Sequence, residues 1–155
     1  MNGITQELDL RSEQEYYKII PDLDGSVTKW VCNGINESIE WIGQHATIGV
    51  LLNQKLIAGI IFNNIRPNID AWLTIYSTDK RWCSRRVLRC VFGFVFNELK
   101  CRRASVLVSK DNSKSLDMCK RLGFQIEGLL RQYRDNSDDC YVMGMLNEEC
   151  KWRKK

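Results

Sequence analysis

Residues 69–100 read IDAWLTIYS (69–77), TDKRWCSRR (78–86) and VLRCVFGFVFNELK (87–100). The first part alternates apolar and polar residues, which predicts a strand, and the last part has an apolar stripe at helical spacing. Cations crowd the junction between them: Lys80, Arg81, Arg85, Arg86 and Arg89. A helix N-terminus disfavours cations. The cluster therefore indicates a bound anion, such as phosphate, held by the exposed N–H groups of the helix start.

The bulk composition is that of an ordinary globular protein. The 155 residues are 44% hydrophobic and 27% charged, with a net charge of +4. This length predicts a single domain over residues 1–155. The longest apolar run, residues 91–96, is too short to span a bilayer, and the N-terminus has no signal-peptide pattern. We therefore predict a cytoplasmic protein without a membrane partner.

Cysteine and histidine usage limits the chemistry. Seven cysteines are present, an odd number without a C-x-x-C pair, which favours free thiols over a zinc site or a disulfide framework. His45 is the single histidine, so mechanisms that need several histidines are excluded. We expect no metal.

The remaining chain divides into short strands and helices. Predicted strands cover a short segment at residues 4–10, then 46–52, 56–65, 69–77, 104–109, 124–133 and 140–146. Predicted helices cover residues 12–20, 26–35 with Ser26 as N-cap, 87–99 and 112–122, and the basic tail is expected to fray. The central strand–helix–strand unit implies parallel pairing, and the hairpins imply antiparallel pairing. We predict an α/β fold (an α+β mixed sheet) of six to seven strands, with helices on both faces and a ligand at the strands' carboxyl ends.

Motifs in the C-terminal half resemble the GNAT family of N-acetyltransferases. Those similar to its ribosomal-protein-acetylating branch are NSKS (112–115), LGF (122–124), EG (127–128) and Arg131. The ending at residues 141–152 and the Arg81-Trp82 junction resemble small phage-encoded members. The resemblance covers residues 56–152, and the predicted order of elements is also that of the family.

The resemblance implies acetyl-coenzyme A as co-substrate, bound where two parallel strands separate. It places the pantetheine arm along the strand at Ile75, Tyr76 and Ser77. It places the pyrophosphate on the turn that follows, which contains Arg81, Trp82, Cys83, Ser84, Arg85 and Arg86. Asn112 would hold the arm or order the loop before its helix.

The turn departs from the family pattern, which usually reads Q/R-x-x-G-x-G/A. Its glycines let the backbone approach phosphate closely, whereas this chain has Asp79, Trp82 and Ser84 at the three positions. The arginines can offset this, since a guanidinium binds phosphate through two parallel bonds. A second departure is Cys119, where many members have a tyrosine that protonates the leaving thiolate.

Acetyl transfer to an amine requires a deprotonated amine, a polarised thioester carbonyl and a stabilised leaving sulfur. The resemblance favours Ser115 for the sulfur, with Cys119 as the alternative, although a helix-face serine and a core cysteine also fit. Candidate general bases on or near strands are Asp70, Glu127 and Asp139, each of which also fits a surface carboxylate. The aromatic residues Tyr76, Trp41 and Trp72 fit either an acceptor pocket or the core.

Three functions are compatible with these residues. The resemblance implies an acetyl-coenzyme A-dependent N-acetyltransferase, a monomer or homodimer, that acts on a primary amine of a small molecule or of a host or phage protein. Trp82 and Cys119 favour a catalytically inactive binding module with the same fold. The basic cluster at residues 80–89, with the cations at 100–103, favours nucleic-acid binding, although 19 acidic residues nearly balance 23 basic ones overall.

Overall fold

The computed structural model of the protein describes residues 16–153. Within these residues, seven strands form one mixed sheet in the order β1-β2-β3-β4-β5-β7-β6. They are β1 (Tyr17–Pro21), β2 (His45–Leu52), β3 (Lys55–Arg66), β4 (Asp70–Ser77), β5 (Arg103–Ser109), β6 (Gln125–Leu130) and β7 (Cys140–Leu146). Only β4 and β5 pair in parallel, and every other pair is antiparallel. The predicted mixed sheet is confirmed.

Helices cover both faces of the sheet, as predicted. They are α1 (Ser26–Gly34), α2 (Arg85–Gly93) and α3 (Ser113–Leu122). α1 packs on one face against Ile61 of β3, whereas α2 and α3 share the main core on the opposite face. Within residues 16–153, none of the helices has the length and apolar character needed to cross a membrane.

The apolar stripe of α2 fills the centre of the main core. Its buried members are Val87, Leu88, Val91 and Phe92. Complete burial of each such side chain contributes about 1.5–3 kcal/mol relative to an exposed one. The helix then widens into a π-turn (Phe94–Glu98), in which the N–H of Leu99 donates to the carbonyl of Phe94 at 2.9 Å.

β4 and β5 pair over only half of their length. Pairing runs from Asp70 opposite Arg103 to Leu73 opposite Val106 and then stops. β4 continues beside β3 as far as Ser77, and β5 continues beside β7. The two parallel strands therefore separate toward their carboxyl ends and leave a gap in the sheet. The backbone groups of residues 74–77 that face this gap have no strand partner.

The N-terminal third differs most from the prediction. The strand expected at residues 4–10 lies outside the described residues. The helix expected at 12–20 is wrong over its described part, because Tyr17–Pro21 forms the edge strand β1 and pairs with β2. Two consecutive isoleucines favour a strand, and Pro21 is tolerated there because an edge strand leaves one side unpaired.

Two further local predictions are wrong, one about the start of α1 and one about the C-terminal tail. The N-cap of α1 is Gly25, not Ser26, and the carboxylate of Asp22 accepts hydrogen bonds from the first-turn N–H groups. The described part of the C-terminal tail is anchored at Trp152 rather than frayed. The indole N–H of Trp152 donates to the carbonyl of Leu122 at 2.8 Å.

Glycine capping of α3 follows the prediction. Gly123 has φ 115°, a conformation that glycine adopts at little cost. The N–H of Phe124 then donates to the carbonyl of Cys119, and its ring is buried. This cap fixes the passage from α3 into β6.

Candidate active site

A groove of about 1840 Å³ opens where β4 and β5 separate. Its lining includes Leu73 and Ile75, on the α2 face of β4, and also Thr74 and Tyr76, on the α1 face. The groove therefore passes through the sheet from one face to the other. A pocket for one small molecule usually measures roughly 300–1,000 Å³, so this groove can hold two substrates that meet in the gap.

Trp82 belongs to the core and also lines the groove. A short 3-10 turn (Lys80–Trp82) directs its indole inward, and the side chain is only 2% exposed. The backbone N–H of Trp82 donates to the carbonyl of Asp79 at 3.2 Å, and the backbone N–H of Cys83 donates to the carbonyl of Lys80 at 3.3 Å. Two of the predicted phosphate donors are therefore already bonded within the turn.

The start of α2 has backbone N–H groups without an acceptor among the described residues. Ser84 is the N-cap, and its hydroxyl accepts a bond from the N–H of Val87 at 3.3 Å. No acceptor in the described part of the chain bonds the N–H groups of Ser84, Arg85 or Arg86. Such unbonded donors at a helix start form a site for a phosphate oxygen.

Asp79 holds this turn in place. Its carboxylate accepts from the N–H of Arg81 at 2.9 Å and forms an ion pair with the same guanidinium at 2.7 Å. These hydrogen bonds lower the pKa of Asp79 to about 2. The hydroxyl of Tyr17 donates to the carbonyl of Arg81 at 3.0 Å, and Arg86 donates to the carbonyl of Tyr17 at 3.3 Å. β1 thus anchors the turn, a contact that the helical interpretation of residues 12–20 could not reveal.

Cations surround the α2 and α3 side of the groove. Lys80, Lys114 and Arg121 line it, and Arg85 and Arg86 are exposed beside it. This positive field favours an anionic ligand on that face.

Asn112 and Ser115 lie together at the start of α3. The Asn112 carboxamide oxygen accepts from the N–H of Ser115 at 3.1 Å and caps the helix. Ordering the loop is therefore a role that its contacts support directly. Ser115 is half-buried and lines the groove, and no described residue bonds its hydroxyl, which remains available to a ligand.

Cys119 also lines the groove but belongs largely to the core. Its side chain is 4% exposed. Burial raises the pKa of this thiol to about 12, and the nearby Cys83 adds to the effect. A thiol with such a pKa retains its proton and is a weak acid toward a leaving thiolate.

The predicted carboxylates lie outside the groove lining. Asp70 forms an ion pair with Arg103 at 3.6 Å and accepts from the Ser105 hydroxyl at 2.8 Å. Glu127 accepts two bonds from the same guanidinium, at 2.5 and 3.3 Å. Asp139 accepts a backbone N–H of the loop between β6 and β7. The structure thus gathers Asp70 and Glu127 at the paired end of β4 and β5, away from the gap.

Aromatic residues line the α1 side of the groove. They include Trp41, Trp72, Tyr76 and Tyr133. The ring of Tyr76 packs edge-on against Trp30 at 4.9 Å. It also covers Gly34 so closely that a Cβ atom there would clash with it. The α1 side therefore offers apolar walls, in contrast to the cationic α2 side.

Sequence reasoning missed the polar groups on this side. Asn63, only 3% exposed, accepts a hydrogen bond from the Thr74 hydroxyl at 3.2 Å. Glu37, beyond α1, pairs with Arg134 of the β6–β7 loop at 2.6 Å and joins the two borders of the groove. The double asparagine at 63–64 was the available signal, but its partners depend on strand register.

Comparison with known proteins gives a fold and no family assignment from sequence. No family model matches, and no curated protein matches. A mutant form of the spermidine/spermine N-acetyltransferase SpeG from Vibrio cholerae superposes with a TM-score of 0.67 and 17% identity, over 86% of this chain and 96% of that chain.

Two further solved structures give the same picture. Ribosomal-protein-S5-alanine acetyltransferase from Vibrio fischeri superposes with a TM-score of 0.59 and 19% identity, over 71% of this chain and 64% of that chain. A probable acetyltransferase does so with a TM-score of 0.60 and 22% identity, over 68% and 63%. The mixed sheet, the separating parallel strands and these superpositions lead to one conclusion: the chain has the GNAT fold of N-acetyltransferases.

Proposed function

We propose that this protein is an acetyl-coenzyme A-dependent N-acetyltransferase that acts on a primary amine of a protein or a small molecule. One observation carries the proposal: the groove runs from one face of the sheet to the other, with Lys80, Lys114 and Arg121 on one side and an aromatic cleft on the other. Such a groove suits an anionic acyl donor and a separate amine that meet between β4 and β5.

The α2 side fits the acyl donor. The backbone groups of residues 74–77 that face the gap have no strand partner there and suit the amides of a pantetheine arm. The N–H groups of Ser84, Arg85 and Arg86 suit a pyrophosphate, and the arginine side chains add charge. Because the Trp82 side chain is only 2% exposed, we expect it to obstruct the phosphate less than its size suggests in the sequence.

The reaction needs no covalent enzyme intermediate. The neutral amine nitrogen attacks the thioester carbonyl carbon, a C–N bond forms, the C–S bond breaks, and the amine loses one proton while the thiolate gains one. Ser115 is the group we assign to the leaving sulfur, because its hydroxyl faces the groove unbonded. Holding both substrates in one gap supplies much of the rate through proximity.

We assign Asp70 and Glu127 a structural role in this proposal, because Arg103 already engages both carboxylates. The acceptor ammonium is instead desolvated between the aromatic walls. Desolvation lowers the pKa of an ammonium group, so the proton can leave through water at the groove mouth.

Two measurements test the function. Acetyl-coenzyme A should raise the melting temperature, and Arg85→Glu with Arg86→Glu should abolish the shift, whereas Arg89→Glu, one turn further along α2, should retain most of it. Thiol release should then be detectable across a panel of amines. Absence of any shift at millimolar cofactor contradicts the proposal, and a shift without thiol release favours the inactive binding module. Salt-dependent binding of mixed DNA and RNA without a cofactor shift favours the nucleic-acid alternative.

A further inference from the structure

A polar pair, of which one member is buried and the other half-buried, lies at the point where β4 and β5 separate. Asn63 of β3 and Thr74 of β4 occupy the α1 face of the sheet, and both line the groove. Thr74 directly follows Leu73, the last residue of β4 that pairs with β5. The pair thus lies beside the gap, on the side opposite the cationic face.

The hydrogen bond within the pair fixes what it presents to a ligand. The Thr74 hydroxyl donates its one proton to the Asn63 carboxamide oxygen at 3.2 Å. The Thr74 oxygen can therefore act only as an acceptor toward a ligand. The Asn63 amide nitrogen keeps two N–H donors, and no described residue accepts from them. An acceptor and a donor are therefore adjacent in the groove.

An irregularity in the backbone positions this asparagine. The pairing of β3 with β4 shifts register after Asn63, and Asn64 has φ 47°. Bulges of this kind redirect side chains next to functional sites. Asn63 is only 3% exposed, but its amide nitrogen is not fully buried, so the free N–H donors are open to the groove.

We propose that Asn63 and Thr74 bind the acceptor and select its chemical class. The Thr74 oxygen accepts an N–H of the amine, while the Asn63 amide nitrogen donates to an oxygen atom adjacent to that amine. The acceptor is therefore an amine with a carbonyl or amide oxygen on the neighbouring carbon, as at a free peptide N-terminus. A simple alkyl diamine offers no such oxygen and leaves the Asn63 donors unpaired.

The same contacts orient the reacting nitrogen. An N–H anchored on Thr74 holds the amine beside the gap, and Trp72 and Tyr76 of the same strand face shield it from water. The nitrogen lone pair is left for the acyl carbon, which arrives from the other face of the sheet. This inference rests on the proposed acetyltransferase function.

The test compares three acceptors at saturating acetyl-coenzyme A. They are a short peptide with a free N-terminus, the same peptide N-acetylated but with a free lysine, and 1,4-diaminobutane. The wild-type kcat/KM should be about 10- to 100-fold higher for the peptide with a free N-terminus than for either of the other two acceptors. This is the range expected when a polar donor is left without a partner. Thr74→Val should lower that value by a similar factor, and Thr74→Ser should restore it.

The Asn63→Asp variant tests the choice of acceptor without removing the oxygen that bonds Thr74. The carboxylate keeps an oxygen for Thr74 but has no N–H donor, so the preference should fall to within about threefold or reverse toward the cationic diamine. Thr47→Val is the matched control: this buried threonine bonds Thr28 at 2.8 Å on the same sheet face but does not line the groove. Its variant should retain the wild-type preference.

The outcomes separate this inference from the function on which it rests. If the diamine is acetylated as well as the free N-terminus, or if Asn63→Asp keeps the wild-type preference, the assignment of Asn63 and Thr74 is overturned while the acetyltransferase function stands. If the wild-type protein acetylates none of the three acceptors, the proposed function and this inference both fall.

Discussion

The two ends of the β4–β5 pair use their polar groups in opposite ways. At the paired end, Asp70, Ser105 and Glu127 all bond to Arg103 or to one another. At the open end, the Ser115 hydroxyl and the Asn63 amide nitrogen have no partner among residues 16–153. Polar groups in folded proteins are usually satisfied. The satisfied groups of the paired end therefore stabilise the fold, whereas we propose that the open end binds the ligands.

The largest expected effect is at the open end. Ser115→Ala should lower kcat by about 100-fold, because a positioned acid for the leaving group contributes at least this much. Melting temperature should change little, since the hydroxyl makes no bond within the described residues. Ser113→Ala, at the exposed first residue of α3, is the control for steady-state kinetics. Equal kcat values for the two variants would remove Ser115 from the mechanism.

A smaller effect, of the opposite kind, is expected at the paired end. Arg103→Ala leaves Asp70 and Glu127 without their cation and should lower the free energy of unfolding by about 1–3 kcal/mol. The KM for acetyl-coenzyme A should remain within twofold. Urea denaturation and steady-state kinetics measure the two quantities. If Arg103→Ala lost most of its activity while its stability stayed unchanged, the paired end would have to be part of the active site.

The smallest effect concerns Cys119, which lines the groove but has a core environment. Its pKa is raised to about 12 from an ordinary value of 9. The neutral thiol therefore stabilises the fold fully below pH 9, and this contribution is lost as pH rises through 9 toward 12. The stability advantage of wild type over Cys119→Ala should shrink by about 1 kcal/mol per pH unit above 9.

Urea titrations at pH 8, 9 and 10 measure this difference. A constant difference between wild type and variant would mean that the Cys119 thiol ionises as easily in the folded protein as in the unfolded chain. Cys119 would then compete with Ser115 as the acid.

Local patterns predicted much of the fold. The stripe of α2, the strand before it and the Gly123 cap each depend on residues close in sequence, so spacing alone identified them. β1 was misassigned because a short segment with apolar residues at 17, 19 and 20 fits either period, and its pairing with β2 decided the outcome. Long-range pairing is what single-sequence patterns represent least well.

The candidate site was predictable only in part. The resemblance pointed to the strand end, the turn and Asn112, and parts of all three line the groove, but anion binding by the cations stays a prediction. The resemblance could not show that Trp82 turns inward, because the core selects that rotamer. Nor could it show that Asp70 and Glu127, which lie far apart along the chain, converge on Arg103. The Asn63–Thr74 bond depends on the register of β3 and β4, which the hydrophobic pattern leaves open.

Amide hydrogen exchange by NMR tests the central contrast most directly. Acetyl-coenzyme A should slow exchange of the gap-facing N–H groups of residues 74–77 and of the unbonded N–H groups at residues 84–86, while residues 70–73 and 103–106, already paired, should change little. That pattern would confirm the open end as the cofactor site. Protection confined to the paired end, or no protection at saturating acetyl-coenzyme A, would contradict the account.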